Sequence, residues 1–405
     1  MATDGAVAAD PVVSALSREE ALGLTQRGGF VRCLDMPVGT AFGIDMRTYF
    51  LGERFGGIKM VPTDVLHLVT WGNDLTCCGV FLRLHAADVA IMRWNADDEA
   101  LRLVSDEAES LPRVQQVLRM EHDGVLAPYP LATADEWRAL AGHVSEAVLH
   151  RAGIPLGVPT APAGIDDDEL LREVEALERE QRDGSGSVAV AAAKVAAAKA
   201  AAPKTRPPST DADADMDDGA PRAARFVTLD PRRSGVGLSG AALSRFHLDR
   251  SEWLAQLLGE AYADGGTDDE RNERMMLGEL QLSYVLFLRV CSLRALEQWK
   301  SLVHLLCACE EALCVRARLY ANALAVLRAQ LALATADVLE EGNFLRASLA
   351  SLARHAHARA ADIAPAVHDE LLRLWESVRP LGVRVEELVA DDDEEDDDEQ
   401  PVVVE

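Results

Sequence analysis

The sequence predicts an α+β protein of two domains: an antiparallel, β-sandwich-like amino-terminal domain with flanking helices, and an all-α carboxy-terminal helical bundle. A disordered linker joins them and an acidic extended tail follows. Three observations carry that prediction. Up to about residue 156, short runs of Val, Leu, Phe, Trp and Thr recur, strand-like in length and divided by turn residues. From residue 226 to 389 the apolar residues recur instead at spacings of three and four, the period of a helix with one buried face. Between them, residues 157–225 hold almost no large apolar side chain, so burial there cannot offset the entropy of ordering the chain. The expected divisions are therefore 1–156, 157–225, 226–389 and 390–405.

In the first block, strands are expected over residues 29–34, 65–71, 79–84 and 89–94. Their close spacing, with no long helix between them, argues for antiparallel pairing, because a parallel pair needs a long crossover. Two helices flank them. Residues 17–27 open with Ser17 and Glu20 in capping-box spacing, and residues 133–151 place Trp137, Leu140, Val144 and Val148 on one face. Inside the linker, residues 168–182 and the Ala/Lys run 188–202 have high helix propensity but little to dock, so a helix there would stand alone. In the bundle, Asp249 is placed to cap a helix carrying Trp253, Leu254, Leu257 and Leu258. Further helices are expected over 275–290, 293–314, 319–333, 344–358 and 363–378. The nine consecutive carboxylates of 391–399 repel one another and keep the tail extended up to Pro401-Val402-Val403-Val404-Glu405.

Charge narrows the function. The 405 residues carry 40 Lys plus Arg against 67 Asp plus Glu, a formal net charge of −27. A stand-alone nucleic-acid binder gains its affinity from Lys and Arg displacing counterions, so that class is disfavoured. An anionic membrane surface is disfavoured for the same reason, and a basic protein partner is suited. No stretch reaches the roughly 20 apolar residues of a membrane span, and the start lacks a basic region followed by an apolar run. The seven cysteines form no CxxC pair and no Asn-x-Ser/Thr sequon occurs, so reduced thiols in a cytosolic or nuclear compartment are expected.

Motifs that could carry chemistry meet bland alternatives. Gly235-Val236-Gly237-Leu238-Ser239-Gly240 is a literal GxGxxG with Glu260 twenty residues on. A dinucleotide site needs that loop inside a βαβ unit, and everything downstream is helical, so a loop is the better reading. His304, Cys307, Cys309 and Cys314 share one helical segment, but a closed zinc site wants four converging ligands, and core thiols fit better. His355 and His357, two apart, point to different sides of a helix. Cys77-Cys78 sits in a strand-like run where neighbours alternate faces, which buries one of them. Neither a GxSxG elbow nor a GxxxxGK[ST] phosphate loop is present. No enzyme, cofactor or metal is expected. Three β-branched residues after a proline, Val402 to Val404, are poor helix formers but could add as a strand to an open sheet edge.

Several of these residues together resemble a known family. Met36-Pro37-Val38-Gly39-Thr40-Ala41-Phe42-Gly43-Ile44-Asp45, followed by Phe55-Gly56-Gly57-Ile58-Lys59-Met60-Val61-Pro62, is similar to the hallmark stretch of the A-one-cistron splicing factor (Aar-two) family, the assembly factors of the U5 snRNP. Gly79-Val80-Phe81-Leu82, Arg93-Trp94 and Pro128-Tyr129-Pro130 follow in order. In the second block Leu277-Gly278-Glu279-Leu280-Gln281, Glu297-Gln298-Trp299-Lys300, Leu305-Leu306-Cys307, Leu319-Tyr320 and Asn343-Phe344-Leu345 continue the resemblance.

The resemblance implies a non-catalytic chaperone, monomeric, moving between cytoplasm and nucleus. Its partner is the large scaffold protein of the U5 particle, bound through RNase H-like and Jab/MPN domains, with the U4/U6-unwinding helicase and RNA kept off until later. The resemblance also gives Pro401, Val402, Val403 and Val404 the role of a strand added to that partner. Pro37, Gly39, Thr40, Phe42, Gly43, Ile44, Asp45, Lys59 and Pro62 are expected to hold a turn and a strand, with Gly39 and Gly43 relieving backbone strain. The alternative, from charge alone, is an acidic chaperone of basic proteins such as histones.

Overall fold

The computed structural model describes residues 11–72, 77–162, 221–229, 240, 246, 248–263, 269–335, 339 and 343–390. Most of GxGxxG, the two linker segments of high helix propensity (168–182 and 188–202), the acidic run and the terminal valines lie outside the described residues. The chain divides into two compact units. The first comprises Met1–Arg225 with Val285–Ala295, the second Phe226–Tyr284 with Leu296–Glu405.

The first unit opens with helices α1 (Pro11–Ser14) and α2 (Arg18–Arg27). The expected capping box closes α2: the Ser17 hydroxyl accepts from the Glu20 amide at 3.3 Å while the Glu20 carboxylate takes the Ser17 amide at 2.8 Å. Among the described residues, ten strands follow in two five-stranded sheets. The strands are β1 (Gly29–Leu34), β2 (Ala41–Ile44), β3 (Arg47–Phe50), β4 (Gly57–Val61), β5 (His67–Gly72), β6 (Cys77–Leu82), β7 (Val89–Asn95), β8 (Ala100–Leu103), β9 (Leu126–Pro128) and β10 (Pro159–Thr160). Their orders are β8-β7-β1-β4-β9 and β10-β6-β5-β2-β3. Val31, Cys33 and Ile58 from one sheet share a buried cluster with Phe42, Ile44, Val69, Trp71 and Val80 from the other, which makes a sandwich.

Pairing in the first sheet departs from the expectation. β1 runs parallel to β7, and β4 parallel to β9, while the remaining pairs are antiparallel. A parallel pair needs a long connection, and between β1 and β7 the chain makes it by building β2, β3, β5 and β6 of the second sheet. The expected helix over 133–151 is also two helices, α4 (Ala134–Ala141) and α5 (Glu146–Arg151), separate from α3 (Glu107–Leu118). Gly142 ends the first of these, and the Ser145 hydroxyl accepts the Val148 amide at 3.3 Å to start the second. The stretch assigned to a linker is paired at both ends: β10 pairs with β6, and Thr160 bridges to Arg222.

The second unit is helical: α6 (Ser251–Glu260), α7 (Asp269–Val290, up to Tyr284 in this unit), α8 (Leu293–Cys307, from Leu296 in this unit), α9 (Glu310–Val315), α10 (Ala317–Leu331), α11 (Phe344–Ala358), α12 (Pro365–Val378) and α13 (Val385–Ala390). The single helix expected over 293–314 is broken into α8 and α9. Its break has a specific cause. The Asp249 carboxylate accepts the amides of Glu310 at 3.0 Å and Glu311 at 3.1 Å, and the Ser251 hydroxyl accepts that of Ala312 at 2.8 Å, so a distant segment caps a new helix. Asp249 also takes the Ser251 amide at 2.9 Å from the position before the N-cap of α6, which is Arg250 rather than the expected Asp249.

Candidate functional site

The hallmark residues gather around one buried carboxylate. Pro37 to Thr40 form a turn in which Gly39 has φ of +86°, and the turn is tied to the end of β3 by Gly39 N to Leu51 O at 2.8 Å and Leu51 N to Thr40 O at 3.0 Å. Strand β2 then points Phe42 and Ile44 into the sandwich, both fully buried, with the Phe42 ring 5.0 Å from that of Phe55. Asp45 ends the strand at φ +51° with no solvent exposure. Its Oδ1 accepts the Leu68 amide at 2.9 Å, and its Oδ2 accepts the Tyr129 hydroxyl at 2.6 Å and faces His67 Nδ1 at 2.7 Å. The other imidazole nitrogen, Nε2, lies 2.7 Å from the Pro62 carbonyl. Lys59 forms an ion pair with Asp123.

The protonation state follows from the partners. A carbonyl oxygen only accepts, so His67 Nε2 carries a proton, and the carboxylate, already holding two donors, favours one on Nδ1 as well. Burial alone would pull the His67 pKa down, but the Asp45 charge and the hydrogen bonds to Asp45 and Pro62 outweigh it and raise it above the ordinary value. Burial and the neighbouring Asp45 push the Tyr129 hydroxyl far up. The Asp–His pair therefore differs from a catalytic relay in a decisive way: the nitrogen that would serve a nucleophile is spent on backbone, and the whole group is sealed from solvent. It can brace strands β2, β4 and β5 against the Tyr129 segment. It cannot meet a substrate.

Gly43 has a different cause from the one expected. Its backbone is ordinary extended strand, and only Gly39 of the two occupies the left-handed region. Across the second sheet, Thr48, Gly43, Thr70, Gly79 and Thr160 stand side by side in register on β3, β2, β5, β6 and β10. Since Phe42, Trp71 and Val80 face the core, this row of small residues faces away from it. The row is a trench, and Arg289 and Val290 of the segment Val285–Ala295 lie against it. A Cβ on Gly43 would come 2.8 Å from an Arg289 guanidinium nitrogen and closer still to Thr70 Oγ1, and a Cβ on Gly79 would come 3.4 Å from Val290 Cγ2. Arg289 donates to Thr48 Oγ1 at 2.8 Å, and the Cys77 thiol donates to the Arg289 carbonyl at 2.9 Å. Burial lowers the guanidinium pKa, with Cys77 and Asp45 opposing.

The second set of motifs is also interior. Glu279 Oε1 accepts from Gln298 Nε2 at 2.7 Å, the Val227 amide at 3.1 Å and the Tyr262 hydroxyl at 3.2 Å. Trp299 Nε1 donates to Gln330 Oε1 at 2.9 Å, while the Tyr284 hydroxyl donates to the Gln330 carbonyl at 2.9 Å. Tyr320 reaches the Leu306 carbonyl at 2.9 Å, and Asn343 caps α11 by accepting the Leu345 amide at 3.0 Å.

Among the described residues no three His, Cys, Asp or Glu side chains converge as metal ligands, and no helix is long and apolar enough to cross a membrane. His304 is exposed whereas Cys307 is buried, and Cys307 is pushed up to about 12 by burial. Cys77 and Cys78 are both half-buried and pushed up by burial, to about 12 and about 11. Sequence reasoning placed Tyr129 in a motif without its hydroxyl's partner, and it left out His67, Thr70 and Arg289. The signal for Thr70 and Gly79 was the small-residue register with Gly43, which appears only once strands are paired.

The comparisons with known proteins cover both units. Residues 27–153 match the family model of the AAR2 N-terminal domain, and residues 226–381 match that of the AAR2 C-terminal repeat region. The chain is similar to the human Protein AAR2 homolog, 28% identical over 336 residues that span 80% of this chain and 81% of the relative. The mouse homolog gives 28% identity over the same shares, and that of Caenorhabditis elegans 24% over 331 residues, 81% of this chain and 86% of the relative. With both folded units matched in order, and the hallmark turn, the Asp45 cluster and the Glu279 cluster falling inside those matches, the chain belongs to the AAR2 family.

Proposed function

We propose that this protein is a splicing assembly factor that works by occupying protein surface, making and breaking no bond. The single observation that carries the reading is family membership across both units. The buried state of its motif chemistry supports it. An Asp–His pair whose imidazole is committed at both nitrogens has no proton to exchange with a substrate.

In its specific form, the protein chaperones the U5 snRNP in cytoplasm and nucleus, as a monomer, by holding the RNase H-like and Jab/MPN domains of the large scaffold protein. Pro401, Val402, Val403 and Val404 add there as a strand. Main-chain hydrogen bonds along an open sheet edge supply affinity, and tethering to two folded units raises the strand's effective concentration. The net charge of −27 repels RNA competing for the same surfaces, so exclusion needs no RNA contact.

Affinity capture from extract tests this. Recovery of the scaffold protein that is lost when Val402 to Val404 are replaced by Ser is the expected result. Recovery of histones that is lost when residues 391–399 are neutralised would instead establish the acidic-chaperone reading. Scaffold-free capture by the intact chain overturns the proposal.

A further inference from the structure

The trench in the second sheet brings together two thiols that are far apart in the chain. Cys77 begins β6 on the face that carries Gly79, and its thiol donates to the carbonyl of Arg289 at 2.9 Å. Two residues after that carbonyl stands Cys291, exposed, in the left-handed region at φ +58° between α7 and α8. The same segment is held in place on either side, by Arg289 on Thr48 Oγ1 at 2.8 Å and by Val290 over Gly79. All of these residues belong to the first unit. The Arg289 guanidinium has no carboxylate within ion-pair distance among the described residues, and its Nε is buried without a hydrogen-bond partner.

We propose that Cys77 and Cys291 form a peroxide-sensitive dithiol, which closes to a disulfide tying the start of β6 to the segment after α7. The oxidant is hydrogen peroxide. Exposed Cys291 attacks one peroxide oxygen, the O–O bond breaks, and the sulfur becomes a sulfenic acid as water leaves. The Cys77 sulfur then attacks the Cys291 sulfur. The S–OH bond breaks, and the Cys77 proton leaves with the hydroxyl as a second water. Two thiols have lost two electrons to one peroxide, and two waters have formed.

The order of events follows from exposure. Burial first, and then the neighbouring Cys291, push the Cys77 thiol up to about 12, while Arg289 and a hydrogen bond with Thr70 pull it down. Cys77 therefore stays protonated and protected until its neighbour is oxidised, and it resolves from within hydrogen-bond reach of the same backbone turn. Cys78, on the opposite face, packs against the sandwich core and takes no part.

The test treats the full-length protein with hydrogen peroxide, alkylates the remaining thiols, and maps peptides by mass spectrometry without reductant. Two of the seven thiols are expected to escape alkylation, with a Cys77–Cys291 cross-linked peptide that dithiothreitol removes. The cross-link should persist in Cys78→Ser and vanish in Cys291→Ser. Full alkylation of all seven overturns the proposal, and so does Cys291 sulfinate or a mixed disulfide with Cys77 still alkylated. A different cysteine pair overturns it equally. The wild-type map decides the matter even where Cys77→Ser fails to fold.

Discussion

At the residue scale, His67 and Gly43 show two ways in which a motif position becomes indispensable. Replacing His67 with Leu would leave the buried Asp45 carboxylate without its cation, a change that costs about 3–5 kcal/mol when a buried pair is broken. The sign with pH follows from the raised pKa of His67. The pair's contribution is fully present below the unfolded histidine value of about 6.5 and is lost as pH rises through the higher folded value. Urea unfolding of wild type and His67→Leu across this range should show their difference shrinking toward alkaline pH. A difference that stays constant, or grows, would contradict a charged His67.

The two hallmark glycines should separate in the same assay. Gly39 stands in open space at φ +86°, so Gly39→Ala costs about 1–2 kcal/mol in left-handed strain, and Gly39→Asn recovers part of it. Gly43→Ala meets Thr70 and the Arg289 guanidinium instead, and overpacking of this kind costs about 1–3 kcal/mol. Asn at position 43 should be worse than Ala. Recovery by Asn at both positions would show that backbone conformation, and no close approach, governs Gly43.

At the scale of elements, one carboxylate decides where a helix begins. Asp249 accepts from Ser251 ahead of α6 and from Glu310 and Glu311 at the head of α9. Burial by itself would raise its pKa, but those hydrogen bonds outweigh it and hold it below the usual carboxylate value. A depressed carboxylate stabilises above its unfolded pKa of about 3.9, and that stability is lost as pH falls through the lower folded value. Asp249→Ala should cost about 1–2 kcal/mol at neutral pH, the scale of a lost cap, read as a lower urea midpoint. Amide exchange should quicken first at Glu310 to Ala312. Exchange unchanged at those amides would remove Asp249 from the role of α9 cap.

Elements differ in how plainly the chain announces them. The span of β1 and that of α11 match the expected runs residue for residue, because each carries its own signal: an apolar run before a turn in one, Asn343 and a period of three to four in the other. The breaks at Gly142 and between α8 and α9 are not of that kind. Apolar periodicity continues through both, since Val144 and Cys309 are themselves buried. A core position can be filled from a loop as well as from a helix.

At the scale of the whole molecule, charge and strand addition make opposite demands on a binding experiment. Exposed charges separated by more than about 8–10 Å are screened at physiological salt, whereas main-chain hydrogen bonds between strands are not. Scaffold capture that depends on Val402 to Val404 should therefore survive an increase in salt to about 0.5 M, with recovery changed by less than twofold. A steep loss, together with insensitivity to the valines, would assign the attraction to the acidic run.

Amino-acid order alone specifies the division into a β-rich and a helical part, the α2 capping box, most apolar faces, and family membership through motifs that survive as contiguous text. These are properties of neighbours along the chain, where periodicity, caps and composition act. Folding is what makes Asp45, His67, Tyr129 and Pro62 meet, lines one trench for Arg289 with Gly43, Thr70 and Gly79, and lets Asp249 cap a helix 61 residues away. Each of these rests on strand register or on a hydrogen bond between remote segments. The energy of such a contact depends on geometry that no single stretch of residues contains.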